Sequence, residues 1–449
     1  MGITIIQKSD TSVRKRDPKV ALVLAGGAVT GGAFKLGGLK ALDDFLINRK
    51  TTDFDLYVGL SAGALLAAPL AAGVPPSEML RALEGRSKQF SRFKPADFYY
   101  PNFAEMLSKP WDFMVDLATY LPGLVAGLVS QAPDMLEKMR PALAALRREP
   151  SMAALDDLLS PVADALAERP VPLPTSYLPA GMFDNSRIER YLSANLSNNE
   201  MPNDFRKLFE LTDKELYIVA MNLDTAERAV FGHNADSSVS ISEAVQASTA
   251  LPGFYRPARI NGVDYVDGGV RRTANIDVAI EHGADLVICY NPFRPFSNRV
   301  THKYVPEKGK FVSEGRPLAE DGIFTVLNQV FRTLLHSRIQ YGLREYQDDP
   351  NFAGDIIVVE PTEDDPNFFA MNPLAFWEGP KAGRHGYESV TSSIDTHYDV
   401  VKQILQSYGI LMTKREVREG LERMQRAAFA HETSEVLSRD LPRRDLDVA

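Results

Sequence analysis

The sequence predicts an α/β protein in which helices cover both faces of a mostly parallel central sheet, with a helical insertion and a C-terminal helix added to it. Three observations carry that expectation. Two apolar runs near the start, "KVALVLAGG" and "FDLYVGL", each lead through glycine into an apolar helical pattern. Neither run alternates polar with apolar residues, as a strand with one wet face would. Strand character then disappears from about Pro95 to Pro179 and resumes afterwards.

The elements follow in order. Residues 1–18 read as a charged tail. The run after Lys19 is a strand, followed by a glycine loop and a helix that repeats Phe34, Gly38, Ala41, Leu42, Phe45 and Leu46 at helical spacing. The second strand leads to a buried helix over Ala64 to Ala72. Pro75 and Pro76 start the next helix, with Ser77 as its N-cap. These elements make residues 19–93 the first part of one domain.

Residues 94–180 read as the insertion: proline at 101, 110, 122, 133, 141, 150, 161 and 170 separates short apolar segments. "FMVDLATYLPGLVAGLVSQ" is too apolar for a solvated spacer. Residues 181–412 complete the domain. "ELYIVAMNL" and "RAVFG" are strands, and Ser240 with Glu243 forms a capping box that opens the helix "SEAVQASTA". "PARI" and "VDYV" flank Asn261 and Gly262, which tolerate the positive φ of a tight hairpin turn. "ADLVICYNP" and "GDIIVVEP" are two more core strands. Residues 413–449 form a charged tail whose helix sets Val417, Leu421, Met424 and Ala428 on one face.

Composition sets the function classes. A chain of 449 residues, 45% hydrophobic and 24% charged, is globular, as one elaborated domain or two to three smaller ones. A net charge of -9 argues against a nucleic-acid partner, which needs a clustered basic face. The short patch Arg14, Lys15 and Arg16 is either an anchor for anionic lipid or a solvated tail. Cys289, the single cysteine, lies in a core strand, so no internal disulfide forms and a reducing compartment fits. The first dozen residues are too polar for the centre of a signal peptide, and no apolar run reaches the roughly 18 to 20 residues of a spanning helix. The expectation is a cytoplasmic protein, soluble or peripheral to a membrane.

The chemistry starts at Gly59-Leu60-Ser61-Ala62-Gly63, a Gly-x-Ser-x-Gly pattern with a strand before it and a helix after it. A serine on such a turn projects its hydroxyl from a strained backbone, and neighbours without side chains let the turn close. The plain alternative is a tight turn with an incidental serine. Donors for an oxyanion are offered by "LAGGAVTGGAF", with Gly26, Gly27, Gly31 and Gly32 beside a helix N-terminus, and by the Ala62 N–H after the serine. Nucleotide phosphate is the rival ligand for such a loop, but the spacing fits neither Gly-x-Gly-x-x-Gly nor the P-loop. Two residues compete for the base. His385, in "GRHGYES", is the best placed of seven histidines, and it would belong to an α/β-hydrolase triad. Asp267, in "VDYVDGGVRRTAN", stands at a strand end beside Gly268 and Gly269. No His, Cys and acidic cluster at ligand spacing asks for a metal, and no cofactor is implied.

Taken in order, the glycine loop, "GLSAG", "ASTALPGFYRP" and "DGG" resemble the patatin-like phospholipase family over roughly Lys19 to Gly73 and Met182 to Asn291. The resemblance implies a three-layer α/β/α lipid acyl hydrolase that works with a Ser–Asp dyad and no catalytic histidine. It makes Ser61 the nucleophile and Asp267 the general base, with Gly26, Gly27, Ala28 and Ala62 at the oxyanion hole. Gly59, Gly63, Gly268 and Gly269 then support the elbow and the turn. The family's loop usually runs Gly-Gly-Gly-x-Arg/Lys-Gly, whereas "GGAVTGG" has Ala28 third and no basic residue before Lys35. One residue is inserted, which leaves open which N–H groups form the hole and removes a side chain suited to holding the loop.

The expected function is hydrolysis of carboxylic esters of glycerolipids, of phospholipase A, lysophospholipase or esterase type. A catalytically weak lipid-binding module is the non-enzymatic alternative. Trp111, Phe113, Met114, Leu117, Tyr120, Leu121, Leu124, Val125, Leu128 and Val129 make region 111–131 either a lid or membrane-facing surface, or a face packed on the core or a second subunit. Oligomeric state stays open.

Overall fold

The computed structural model describes residues 2–148, 158–161, 177–305, 310–426 and 435–439. Among them, nine strands form one sheet: β1 Ile3–Gln7, β2 Val20–Leu24, β3 Leu56–Leu60, β4 Glu215–Asn222, β5 Arg228–Gly232, β6 Ala258–Ile260, β7 Val263–Asp267, β8 Leu286–Tyr290 and β9 Asp355–Val359. Their order is β1-β9-β8-β2-β3-β4-β7-β6, with β5 also paired to β4. The five central strands β9, β8, β2, β3 and β4 run parallel, and the outer strands join antiparallel. This is the mostly parallel α/β sheet that the unbroken apolar runs predict.

The helices named below are α1 Ala28–Phe45, α2 Ala62–Ala71, α3 Pro76–Glu84, α4 Phe103–Arg148, α5 Ile241–Thr249, α6 Ile276–Glu281, α7 Ile323–Asp348, α8 Gly379–Thr396 and α9 Arg415–Arg426. One sheet face, with Val23, Val58, Val219 and Cys289, packs on α6 and on Ile339 and Leu343 of α7. On the opposite face α1 brings Phe34 to 6.2 Å from the Tyr290 ring, and α2 lies against β3. Both faces are dry, so the strands carry no polar alternation.

Two compact units are present: one of Met1–Tyr100 with Asp184–Ala449, which contains the whole sheet, and one of Pro101–Phe183. Several local expectations change. Part of the expected tail, Ile3–Gln7, is the edge strand β1, antiparallel to β9, with Ile3 and Ile6 buried. Five residues carry too little pattern alone; the partner strand decides them. The helix α3 has Pro75 rather than Ser77 at its N-cap, because Pro76 fits the first helical position, where no N–H bond is needed. The short segments expected between prolines are one helix, α4, which runs through Pro110, Pro122, Pro133 and Pro141. Each proline forfeits one backbone bond. Gaps of 12, 11 and 8 residues leave at least two intact turns between such losses.

Along α4 the side chains of Phe103, Met106, Leu107, Trp111 and Met114 are exposed. The side chains of Leu117, Tyr120, Leu121, Leu124, Val125, Leu128 and Val129 lie outside the described residues, as do Pro150 and Pro170. In α9, which packs on α1, Val417 and Met424 are buried, and Ala428 lies outside the described residues. No described helix is long and apolar enough to cross a membrane.

Candidate active site

Ser61 sits between β3 and α2 with φ 54° and ψ -128°. A side-chain-bearing residue holds such a backbone at a cost of ~1–3 kcal/mol. At an N-cap a serine ordinarily accepts a bond from the first helical turn, but this hydroxyl makes no cap bond. It instead meets the Asp267 carboxylate as a hydrogen-bond donor. Gly59 and Gly63 make the turn possible: a Cβ at Gly59 would lie 2.5 Å from Ala64 Cα, and one at Gly63 only 2.1 Å from the Leu24 carbonyl oxygen.

The sheet explains how residues more than two hundred positions apart meet. β4 lies between them: Leu60, just before the serine, is level with Val219, and Ala220 is level with Asp267. The Asp267 N–H donates to the Ala250 carbonyl at 2.9 Å, and the Gly269 N–H donates to Asp267 Oδ1 at 2.9 Å. Gly268 passes so close to β4 that a Cβ there would meet Val219 O at 2.8 Å. Ser248, a residue that sequence reasoning did not single out, ties the parts together. Its Oγ accepts the Ser61 N–H at 2.8 Å and donates to Val219 O at 2.6 Å. Its only sequence signal is its place in "ASTALPGFYRP", as a fully buried hydroxyl near the end of α5.

The glycine loop is shorter than expected. Gly31 and Gly32 belong to α1, which begins at Ala28, so they are helix residues rather than loop donors; a Cβ on Gly31 would face Pro292 at 3.7 Å and one on Gly32 would face Ala62 at 3.3 Å. The N–H groups of Val29 and Thr30 both donate to Pro373 O, at 3.0 and 3.1 Å. That leaves Gly26, Gly27, Ala28 and Ala62 as the candidates for an oxyanion. Ala62 follows the serine directly, and Gly26 comes close to it across space: a Cβ on Gly26 would stand 3.3 Å from Ser61 Cβ. Ala28 adopts φ 51°, the left-handed conformation that suits glycine.

Electrostatically, two buried groups share the site. Burial raises the Asp267 carboxyl to about 6, while the Ser61 hydroxyl, the Gly269 N–H and the Lys35 charge pull it down. Burial lowers Lys35 to about 7, opposed by the attraction of Asp267. A carboxylate with its pKa near 6 is better matched to proton transfer at neutral pH than one at its ordinary value.

Ser61, Ala28 and Ala62 open onto an apolar cavity of about 130 Å³, lined among others by Leu65, Phe93, Leu192 and Phe254. His385 is occupied elsewhere: Nε2 lies 2.7 Å from Asp365 Oδ2, and its ring packs beside Phe34. Neither described partner of the Ser61 side chain or N–H is a histidine. Among the described residues no group of three or more His, Cys, Asp or Glu is placed to hold a metal ion.

The profile of the family described as patatin-like phospholipase matches residues 22–280, from β2 through both Ser61 and Asp267 into α6. The chain belongs to the patatin-like phospholipase family. A viral relative of this patatin-like chain, named probable lipid hydrolase 463L, from Invertebrate iridescent virus 6, is 27% identical over 104 residues. That stretch covers 23% of the chain and 36% of the viral protein, about a third of its length. Among solved structures, VipD from Legionella pneumophila is 16% identical, with 95% of this chain and 79% of VipD covered at a TM-score of 0.34. ExoU of Pseudomonas aeruginosa, solved in complex with SpcU, is 15% identical, with 97% and 72% covered at a TM-score of 0.26.

Proposed function

We infer that this patatin-like chain is a serine-dependent lipid acyl hydrolase that cleaves carboxylic esters of glycerolipids, of the phospholipase A or lysophospholipase type. One observation carries the reading: a strained, cap-free serine hydroxyl meets a buried carboxylate at the wall of an apolar cavity. As Ser61 Oγ attacks the ester carbonyl, its proton passes to Asp267. The carbonyl oxygen becomes an oxyanion, stabilised by N–H groups of the Gly26 to Ala28 loop and of Ala62. Asp267 returns the proton to the leaving alcohol, giving an acyl-enzyme. Water then gives a proton to Asp267 and attacks the acyl carbon, and Ser61 recovers its proton as the fatty acid leaves. The apolar cavity supports an acyl chain as the part of substrate held beside the serine.

The exposed apolar side chains of α4 support a second step of the reading, contact of the Pro101–Phe183 unit with a lipid surface. The test is turnover of a panel of esters, with and without bilayers, by wild type, Ser61→Ala and Asp267→Asn. Both variants should lose at least ~10³-fold in kcat, and a fluorophosphonate should label wild type but not Ser61→Ala. Vesicle binding by a wild type that neither labels nor turns over any ester would instead mean a lipid-binding module.

A further inference from the structure

Lys35 stands in the third turn of α1 and is fully buried, at 0% exposure. Its ammonium donates to the carbonyl oxygens of both Ala25 and Gly26, the second at 3.0 Å. Between Gly26 and Phe34 the chain carries no charged residue, so no side chain of the loop itself performs this task.

The consequence is geometric. A trans peptide unit is planar, and its N–H points opposite to its C=O. The carbonyls drawn to Lys35 belong to the same peptide units as the N–H groups of Gly26 and Gly27. Those N–H groups therefore project away from Lys35, on the loop that brings Gly26 against Ser61. A bond from a cation to a carbonyl is roughly twice as strong as a neutral one. It also polarises the amide and strengthens the donor at its other end.

We propose that Lys35 is a positioning residue for the oxyanion hole: by gripping the Ala25 and Gly26 carbonyls from inside the domain, it aims the Gly26 and Gly27 N–H groups at the ester oxygen. This rests on the Ser61–Asp267 reading. An isolated buried ammonium is costly and is ordinarily replaced by an apolar side chain or a paired one. Lys35 keeps its place because two carbonyls and the Asp267 charge compensate it. The titratable groups acting on it are Asp267, at the end of β7, and the Cys289 thiol on β8.

The experiment compares wild type, Lys35→Met, Lys35→Gln and Ser61→Ala on a soluble nitrophenyl ester and a trifluoromethyl ketone, which forms an oxyanion when the serine adds to it. Lys35→Met should lose ~10- to 100-fold in kcat, less than the full loss of a hole donor, with KM within about twofold. Ketone affinity should fall by the same factor as kcat/KM. Lys35→Gln, whose amide donates without charge, should be intermediate. In wild type kcat should decline above neutral pH as Lys35 loses its proton, and Lys35→Met should lack that limb.

A folded Lys35→Met with wild-type kcat and ketone affinity overturns the proposal, as does a variant that changes only KM or melting temperature. If neither Lys35 variant folds, a wild-type kcat that stays level through the alkaline range overturns it. Ser61→Ala separates the two readings. Should it remain active, the site itself is misassigned; should it be inactive while Lys35→Met matches wild type, the role of Lys35 alone fails.

Discussion

Ala28 holds a left-handed backbone, φ 51°, at the first position of α1, where a Cβ crowds its own carbonyl. That conformation costs ~1–2 kcal/mol relative to glycine. Ala28→Gly should therefore raise stability, by about 0.5–1 kcal/mol once the greater freedom of the unfolded chain is subtracted. Thermal unfolding checks it. Asp267 sets a second expectation. Its carboxyl must be ionised to accept a proton, and burial raises it to about 6. On a soluble ester kcat/KM should rise with pH through about 6 to a narrow maximum, with the loss at Lys35, which burial lowers to about 7, forming the other limb. A rising limb near pH ~4, the ordinary range of an aspartate, would mean that burial does not govern the base.

At the scale of elements, the head of α1 is held by its neighbour. α1 crosses α8 so closely that a Cβ on Gly37 would stand 1.7 Å from Gly383 O, and one on Gly386 would stand 1.9 Å from Phe34 O. Backbone meets backbone there, and no side chain is free to yield. Gly37→Ala and Gly386→Ala should each destabilise by at least ~1–3 kcal/mol, the usual cost of overpacking. Since α1 carries both Ala28 and Lys35, the same changes should lower kcat. Denaturant unfolding and turnover of the folded fraction measure the two effects separately. A substitution in the cavity wall acts differently. Leu192→Trp fills part of the cavity onto which the serine opens, so it should shift preference toward shorter acyl chains, read as the ratio of kcat/KM for short and long esters.

Across the whole molecule, the unit that carries the sheet holds every proposed catalytic residue, and the Pro101–Phe183 unit carries an exposed apolar row. Leu107 and Trp111 lie one helical turn apart on α4. Replacing both by glutamate should cut hydrolysis of vesicle lipid by ~10-fold or more while a soluble short-chain ester is turned over as before. Vesicle co-sedimentation should fall in parallel. Equal loss on both substrates would indicate damage to the catalytic unit rather than to a lipid contact.

Local pattern alone determined the buried parallel strands, because a strand covered on both faces writes an unbroken apolar run into the sequence, as at Val20–Leu24 and Leu56–Leu60. It also determined the hairpin turn at Asn261 and Gly262, where both residues take positive φ, and the Ser240–Glu243 cap, since both devices are completed within four residues. The elbow at Ser61 is legible for the same reason. Local pattern left Asp267 and His385 both open and only the family resemblance chose Asp267; tertiary structure supplied the reason Ser61 and Asp267 meet, because that depends on β4 lying between β3 and β7. It alone revealed Ser248 and Lys35, whose partners at the site are backbone groups or charges that no spacing rule marks. The edge strand Ile3–Gln7 and the unbroken α4 were likewise beyond the sequence: one needs β9 beside it, and the other survives prolines that local propensity reads as stops.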